Sequence, residues 1–380
     1  MSRSLLVIAG EVSGDMHAAR VIHALKAQSP DIRCWGIGGD ELAAAGVELR
    51  YHVRDMAVLG LTEVLKRYGF FRRVFNDVLR QIDAQKPDAV LLVDYPGFNL
   101  RLAKEVHKRG IKVLYYICPQ VWAWHRSRID RMAEIVDRLM VIFPFEVDVF
   151  ANKPIKVDFV GHPLVDQAKT ALAAPLAELP WPIPEGTRIA LLPGSRKQEI
   201  DRILPVMLDA AQKLHAADQQ TSFIIASPSK EIADHIDKLV DQSALDSHHA
   251  TIVTGQTREV LRQARAAMVA SGTATIETAL MGCPMIVVYK TAPMTYWFGK
   301  RLIRVPYLGM VNIVAGRALC PEFIQAQAEP NQMAGALSKL IVEGEARSCV
   351  LEGLQEVAGA LGEVDAAATA AAVIHAELGH

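Results

Sequence analysis

Residues 266–289, AAMVASGTATIETALMGCPMIVVY, constrain the fold more than any other stretch of the chain. Ala266 to Ala270 is an apolar run of strand length. Ser271-Gly272-Thr273 breaks it, and the hydroxyl of Thr273 or Thr275 can cap a helix by accepting from the open N–H groups of its first turn. The helix predicted over about 274–281 stops at Gly282, a residue suited to a left-handed C-terminal position. Pro284 prevents its continuation, and Met285 to Tyr289 reads as the next strand. A glycine turn opening a helix leaves backbone N–H groups pointing outward, and with the helix dipole these make a site for phosphate. Glu277, one turn further in, would repel a phosphate, so it reads as an acceptor for ribose hydroxyls. An ordinary strand–turn–helix with a surface glutamate fits the same residues.

With 380 residues the chain is too long for one ordinary domain. A hydrophobic fraction of 51% is enough for full cores. A formal net charge of -1 supplies no global field toward nucleic acid, which is not expected as a partner. Cys34, Cys118, Cys283, Cys320 and Cys349 are scattered and form no CxxC pair, which supports neither a disulfide framework nor a zinc site. Reduced thiols in a cytosolic protein are the simplest reading. The chain runs directly into an apolar strand, Leu5 to Ala9, with no signal-peptide pattern. No apolar run approaches the ~20 residues that cross a bilayer, so any membrane contact is expected to be peripheral.

Ser4 to Ala9 is followed by Gly10-Glu11-Val12-Ser13-Gly14-Asp15 and a helix predicted from about Met16 to Gln28. Strand, glycine loop and helix is how a nucleotide-type α/β fold begins. GEVSGD is not GxGxxG, and its two acids disfavour a pyrophosphate. The loop, with Ser13 and Asp15, therefore reads as facing a sugar or acceptor, or else as a tight structural turn. His17 falls in the predicted first helical turn, where the dipole would lower its pKa; substrate contact and a capping or surface role both remain open. Residues 56–75, MAVLGLTEVLKRYGFFRRVF, set large apolar groups beside Lys66, Arg67, Arg72 and Arg73. That suits the headgroup region of an anionic bilayer, and equally a core helix with a solvated basic edge.

Pro87 to Val93 leads to Asp94-Tyr95-Pro96-Gly97-Phe98-Asn99. Open α/β sheets place ligand-contacting groups at the carboxyl ends of strands, and Pro-Gly fixes a turn that can aim Asp94. A carboxylate partly removed from water can take a proton from an attacking hydroxyl, so Asp94 reads as a general base, with an Asx turn or helix cap as the alternative. Lys112 to Ile117 is another strand, followed by Cys118-Pro119-Gln120-Val121-Trp122-Ala123-Trp124-His125. Trp122 and Trp124 could line a sugar or acyl pocket, and Arg126, Arg128 and Arg131 could hold a phosphate; packing is the other role for the rings. Strands at 139–143 and 157–160 end this half, and Gly161-His162-Pro163-Leu164 marks a crossover.

Four prolines between Ala171 and Gly186 mark a boundary or connecting loop. The construction then restarts: strand Arg188 to Leu192, turn Pro193-Gly194-Ser195-Arg196, helix from about Ile200 to Ala216. Two facing α/β domains with a cleft between them follow from this repetition. The backbone of Gly194 and Ser195 can approach an anion while Arg196 offers forked hydrogen bonds. Strands are predicted at 221–226 and 250–253, with a helix from Ser229 to about Gln242 between them. Residues 295–304 are aromatic and basic, suited to packing or acyl contact. Asn312 sits in an apolar run, where its amide can bond a base or sugar or be structural. From Asn331 onward the chain reads as helical, without a chemical motif.

AGEVSGD, VDYPGFN, CPQVWAW, LLPGSR, SGTATIETAL and MVNIVAGR, in this order and spacing, closely resemble the lipid-A-disaccharide synthase family over nearly the whole chain. The resemblance implies an α/β, GT-B-type glycosyltransferase of two Rossmann-like domains facing a central cleft. It implies an acceptor-binding, membrane-facing domain over 1–165, a UDP-sugar-binding domain over 166–345, and C-terminal helices over 346–380 that dock on the first domain or are exchanged in a homodimer. The implied partners are diacylated glucosamine lipids and an anionic inner-membrane surface met through residues 56–75, with the protein peripheral on the cytoplasmic face. The implied reaction transfers 2,3-diacylglucosamine from UDP to 2,3-diacylglucosamine 1-phosphate, making the β(1→6) disaccharide in lipid A biosynthesis. Family pattern places the essential aspartate at Asp94 and the essential arginine at Arg196, with Ser271, Gly272, Thr273, Glu277 and Asn312 as UDP contacts. Ser13, Asp15, His17 and Trp124 are the acceptor-side candidates. No DxD pair is present, and no metal or cofactor is expected. A UDP-sugar 2-epimerase of the same architecture and a non-catalytic diacyl-sugar-binding membrane protein are the rival readings.

Overall fold

The computed structural model describes residues 3–56, 68–124, 127–245, 247–292, 296–297 and 305–379. The chain divides into two compact units, residues 1–163 with 362–380, and residues 164–361.

The first unit is built on seven strands: β1 (Ser4–Ala9), β2 (Arg33–Gly38), β3 (Glu48–His52), β4 (Ala89–Val93), β5 (Lys112–Tyr116), β6 (Arg138–Val141) and β7 (Lys156–Phe159). Their order is β3-β2-β1-β4-β5-β6-β7, and every pairing is parallel. A parallel sheet needs helical crossovers, which cover both faces and leave the central strands dry. Leu5 to Ala9 and Ala89 to Val93 are accordingly wholly buried, which is why both read as unbroken apolar runs. The helices used below are α1 (Val12–Gln28), α2 (Asp40–Ala44), α3 (Tyr68–Gln85) and α4 (Pro96–His107).

The second unit carries β8 (Thr187–Leu192), β9 (Thr221–Ser227), β10 (Ala250–Thr254), β11 (Ala266–Ala270), β12 (Met285–Tyr289) and β13 (Glu322–Ile324). Their order is β10-β9-β8-β11-β12-β13, again all parallel, and the first six strands of the first unit follow the same order. Its helices include α5 (Leu164–Ala173), α6 (Lys197–Ala217), α7 (Thr273–Leu280), α8 (Met310–Ala315) and α9 (Glu345–Ala360). The last helix, α10 (Ala366–Glu377), belongs to the first unit, where it packs on α1. Ser29 Oγ and His375 Nδ1 lie 2.9 Å apart, and Glu377 pairs with Lys112 at 3.1 Å and Arg138 at 3.3 Å. The segment 346–380 is thus divided between the units.

Three local expectations need correction. The first is α1, which begins at Val12, so Ser13, Gly14 and Asp15 form its opening turn instead of a loop. The second is the cap of α7: Gly272 holds that position, and Thr275 Oγ1 donates back to the Gly272 carbonyl at 2.8 Å. The third is Asp15, whose carboxylate is not turned to a ligand. It is buried, and it accepts from the N–H groups of Gly39 (2.6 Å), Glu41 (3.1 Å) and Leu42 (3.2 Å). Asp15 therefore closes the amino end of α2, a role that needs a partner distant in sequence. β3 and β13 escape prediction because they are short and only partly covered.

Of residues 56–75, 57–67 lie outside the described residues. Phe70, Phe71 and Phe75 pack partly buried against the first core while Arg72 and Arg73 are exposed, as a core helix with a basic edge would be. Among the described residues no helix is long and apolar enough to cross a membrane. Asp15→Ala leaves three buried or partly buried donors without their acceptor. It should destabilise the protein by on the order of 2 kcal/mol, read as a lowered midpoint in urea unfolding.

Candidate functional site

In each sheet the strand order reverses between the first strand and the fourth, at β1/β4 and at β8/β11. The loops leaving those two carboxyl ends diverge to opposite faces, so a crevice opens between them, and ligands of open α/β sheets bind there. Asp94 follows β4 at the first reversal. Arg196 and Ser271 follow β8 and β11, which are hydrogen-bonded neighbours, at the second.

At the first reversal Asp94 and Tyr95 both adopt left-handed backbone, with φ of 45° and 47°. Each such residue costs on the order of 1 kcal/mol or more and persists only where surroundings impose it. Here the Asp94 N–H donates to the Tyr116 carbonyl at 3.0 Å. The Asp94 carbonyl accepts from Tyr115 Oη at 2.6 Å and from Asn99 Nδ2 at 2.8 Å. Asn99, fully buried, also donates to the Val93 carbonyl at 3.1 Å. Gly10, at the end of β1, has to be glycine because a Cβ there would overlap the Tyr95 ring. The turn therefore presents a partly buried carboxyl whose pKa is pushed up to about 6, by burial first and by the Glu11 charge second, against the Tyr95 N–H that favours ionisation.

Three further ionisable groups, Glu146 and His162 buried and His17 partly so, lie at the same edge of the first sheet. Glu146, just after β6, is buried and pushed up to about 7 by desolvation; it accepts from Trp122 Nε1 at 3.0 Å and from the Phe143 N–H at 3.2 Å. His162 is held down at about 3 and His17 at about 4, burial being the larger cause for both. His17 is neither a surface nor a capping residue: it sits in the second turn of α1, and burial with a contribution from Arg20, rather than the dipole, lowers its pKa. Ser13 is exposed near the start of α1. The Trp124 side chain, His125 and Arg126 lie outside the described residues, as do Thr295 and residues 298–304.

At the second reversal Gly194 has φ of 114°, and a Cβ there would run into Glu199. Glu199 Oε2 accepts from the Ser195 N–H at 3.2 Å, so one donor expected to face a phosphate is engaged from within α6. Arg196 occupies the N-cap position of α6, where its carbonyl accepts from the Glu199 and Ile200 N–H groups at 2.9 and 3.0 Å; it is exposed, and its guanidinium makes no hydrogen bond or ion pair among the described residues. Gly272, with φ of 149° and open space where a Cβ would stand, caps α7 beside exposed Thr273. Ser271 donates its hydroxyl proton to the Leu308 carbonyl at 2.7 Å. Glu277 faces Arg258, with Nε to Oε1 at 2.8 Å; burial raises its pKa and Arg258 opposes that rise.

Asn312 is corrected from ligand contact to scaffold. It is fully buried, donates to the Cys320 carbonyl and to Glu322 Oε1, both at 2.8 Å, and accepts from the Cys320 N–H at 2.8 Å. Glu322 in turn accepts from the N–H groups of Leu308 (3.0 Å) and Gly309 (2.9 Å), and Leu308 is the residue that Ser271 bonds. Sequence reasoning missed Glu146, Glu199, Arg258 and Glu322. The place of Glu277 one turn beyond Ser271-Gly272-Thr273 pointed to it, but nothing local pointed to its arginine.

The family model described as lipid-A-disaccharide synthetase matches residues 5–373. The chain is 41% identical over 374 residues to the lipid-A-disaccharide synthase of Syntrophus aciditrophicus, covering 97% of this chain and 96% of that one. It is 38% identical over 370 residues to that of Myxococcus xanthus, covering 97% and 95%. Among solved structures it resembles UDP-GlcNAc 2-epimerase from Neisseria meningitidis bound to UDP-GlcNAc, with a TM-score of 0.63 at 12% identity over 98% of each chain. It also resembles the calicheamicin glycosyltransferase CalG4, with a TM-score of 0.59 at 16% identity over 100% and 99%. At those identities the structures establish the fold alone, that of GT-B glycosyltransferases and UDP-GlcNAc 2-epimerases. The near-full-length match of sequence establishes the rest: the chain belongs to the lipid-A-disaccharide synthase family, glycosyltransferases of lipid A biosynthesis.

Proposed function

We propose that Asp94 is the general base and Arg196 the pyrophosphate ligand in transfer of 2,3-diacylglucosamine from UDP to the 6-hydroxyl of 2,3-diacylglucosamine 1-phosphate. The observation that carries this reading is Asp94 itself, raised to about 6 in a backbone conformation held by three hydrogen-bonding groups, the Tyr116 carbonyl, the Tyr115 hydroxyl and the Asn99 amide. A carboxylate with that pKa is mostly ionised at neutral pH yet more basic than an ordinary one, which suits proton removal from an attacking hydroxyl. In-line attack inverts the anomeric centre. The diphosphate leaving group gathers negative charge, and the free guanidinium of Arg196 with the N-terminus of α7 stabilises it. Glu277, oriented by Arg258, accepts from ribose hydroxyls. Ser271, Gly272 and Thr273 frame that site, supported from below by Asn312 and Glu322.

Membrane contact through residues 56–75 on the cytoplasmic face of the inner membrane belongs to the same proposal, supported by the basic and aromatic composition of that segment. So does a homodimer in which α10 would lie on a partner's α1, supported by the way α10 is joined to α1 through one face.

UDP release measured with both diacyl sugars should exceed that with either alone. Conversion of UDP-N-acetylglucosamine by itself to its epimer would instead favour the 2-epimerase reading. Asp94→Asn should cut kcat by about 10²–10⁴-fold and leave UDP affinity unchanged. With the native carboxyl, kcat/KM should fall as pH drops through about 6, because protonated Asp94 cannot accept, and Asp94→Asn should lose that acid limb. Arg196→Ala should weaken UDP binding roughly tenfold or more by calorimetric titration; normal affinity would place the pyrophosphate elsewhere.

A further inference from the structure

We propose that Arg101, Arg128 and Arg131 form a pocket in the first unit that binds the anomeric phosphate of the acceptor. The pocket, about 210 Å³ in volume, is lined by the three arginines with Pro96, Gly97, Leu100 and Met132. Two packed helices make its walls, α4 and the helix Ser127–Ile135. Gly97 and Arg101 are four residues apart on α4, and Arg128 and Arg131 are three apart on the other helix, so each pair shares one helical face.

Three guanidiniums in one small pocket repel one another, and arginine cannot shed its charge to relieve the repulsion. Several other arginines of this unit meet carboxylates: Arg33 with Glu48, Arg54 with Asp40, Arg109 with Asp83 and Arg138 with Asp158. The guanidiniums of Arg101, Arg128 and Arg131 make no hydrogen bond or ion pair among the described residues. Asp130, which lies between two of them in sequence, is drawn away to Lys153 at 2.5 Å. The unneutralised charge therefore converges on a cavity, and the amino end of α4 adds its positive dipole there. A doubly charged phosphate, with oxygens that match the guanidinium fork, satisfies this arrangement. The cavity is smaller than the ~300–1,000 Å³ of sites that enclose a whole small molecule, which suits one charged group of a larger ligand.

Position selects the ligand. Gly97 follows Asp94 by three residues, so the rim of the pocket lies within about 11 Å of the proposed base. In the acceptor one hexose ring separates the 6-hydroxyl from the anomeric phosphate. An acceptor presenting its hydroxyl to Asp94 can therefore set its phosphate among the three arginines. The inference rests on the reading of the acceptor given above.

The test is steady-state kinetics in nonionic detergent micelles, with Arg101→Ala, Arg128→Ala and Arg131→Ala and with the acceptor bearing or lacking its 1-phosphate. All three side chains are exposed, so the variants should keep the unfolding temperature of the parent. Each should raise the KM for the phosphorylated acceptor roughly tenfold, leave the donor KM unchanged, and make no difference with the acceptor lacking phosphate. An unchanged acceptor KM, or an equal penalty on both acceptors, would overturn the proposal. In a second arm, flotation with phosphatidylglycerol vesicles should be the same for parent and triple variant. Loss of flotation with unchanged acceptor KM assigns the arginines to bilayer phosphates and also overturns it. Failure of the parent to release UDP would count against the enzymatic reading itself, a result separate from either arm.

Discussion

A parallel strand cannot turn directly back to its neighbour, and this one constraint arranges both units. Each strand must deliver the chain to a helical crossover, so every carboxyl end becomes a loop leading to a helix. Where successive crossovers go to opposite faces the loops part, and they part between β1 and β4 and between β8 and β11. The residues proposed for the reaction gather at those partings. Asp94 is there in the first unit; Arg196, Ser271 and Gly272 are there in the second. The same constraint explains why Leu5 to Ala9, Ala89 to Val93, Ile189 to Leu192 and Ala266 to Ala270, in the central strands, are wholly apolar: both faces are covered, and the proposed chemistry lies beyond their ends.

Much of this was legible in the chain because fully buried parallel strands leave an unmistakable mark. Ala266–Ala270 and Met285–Tyr289 have the same bounds in sequence and structure, since a glycine, a proline or a polar turn ends each run. The marks fail where structure depends on distant partners. Val12 to Asp15 looked like a loop because Gly10 and Gly14 are turn residues. Yet Asp15 is fixed by the N–H groups of Gly39, Glu41 and Leu42, and the helix extends to meet that role. His17 reads in the sequence as a substrate contact or as a capping or surface residue; its partial burial depends on the tertiary fold. Strands β3 and β13 lie at sheet edges, where partial cover removes the apolar signature.

Burial acts on the first crevice in two directions at once. Desolvation disfavours whichever form is charged, so it raises the carboxyls of Asp94 and Glu146 and lowers the imidazoles of His17 and His162. The result is a wall whose histidines are neutral at ordinary pH and whose carboxyls lose their protons only near neutrality. At neutral pH a hydroxyl approaching such a wall meets the mostly ionised Asp94 carboxylate, whose basicity the Glu11 charge helps to raise. The cations stand outside this zone, on the helices that follow, where water and ligand can reach them.

The second crevice is organised by hydrogen bonds more than by desolvation, and Asn312 shows how. A sequence motif that contains an amide near a nucleotide site invites the conclusion that the amide touches the nucleotide. Here all three of its bonds turn inward, to Cys320 and Glu322. Glu322 passes the constraint to the N–H groups of Leu308 and Gly309, and the Leu308 carbonyl receives the Ser271 hydroxyl. A buried amide with complete partners holds its neighbours more rigidly than an exposed one could. Its influence reaches Ser271 through Glu322 and Leu308. Loss of the amide would loosen the turn that opens α7 even though the side chain never meets what binds there.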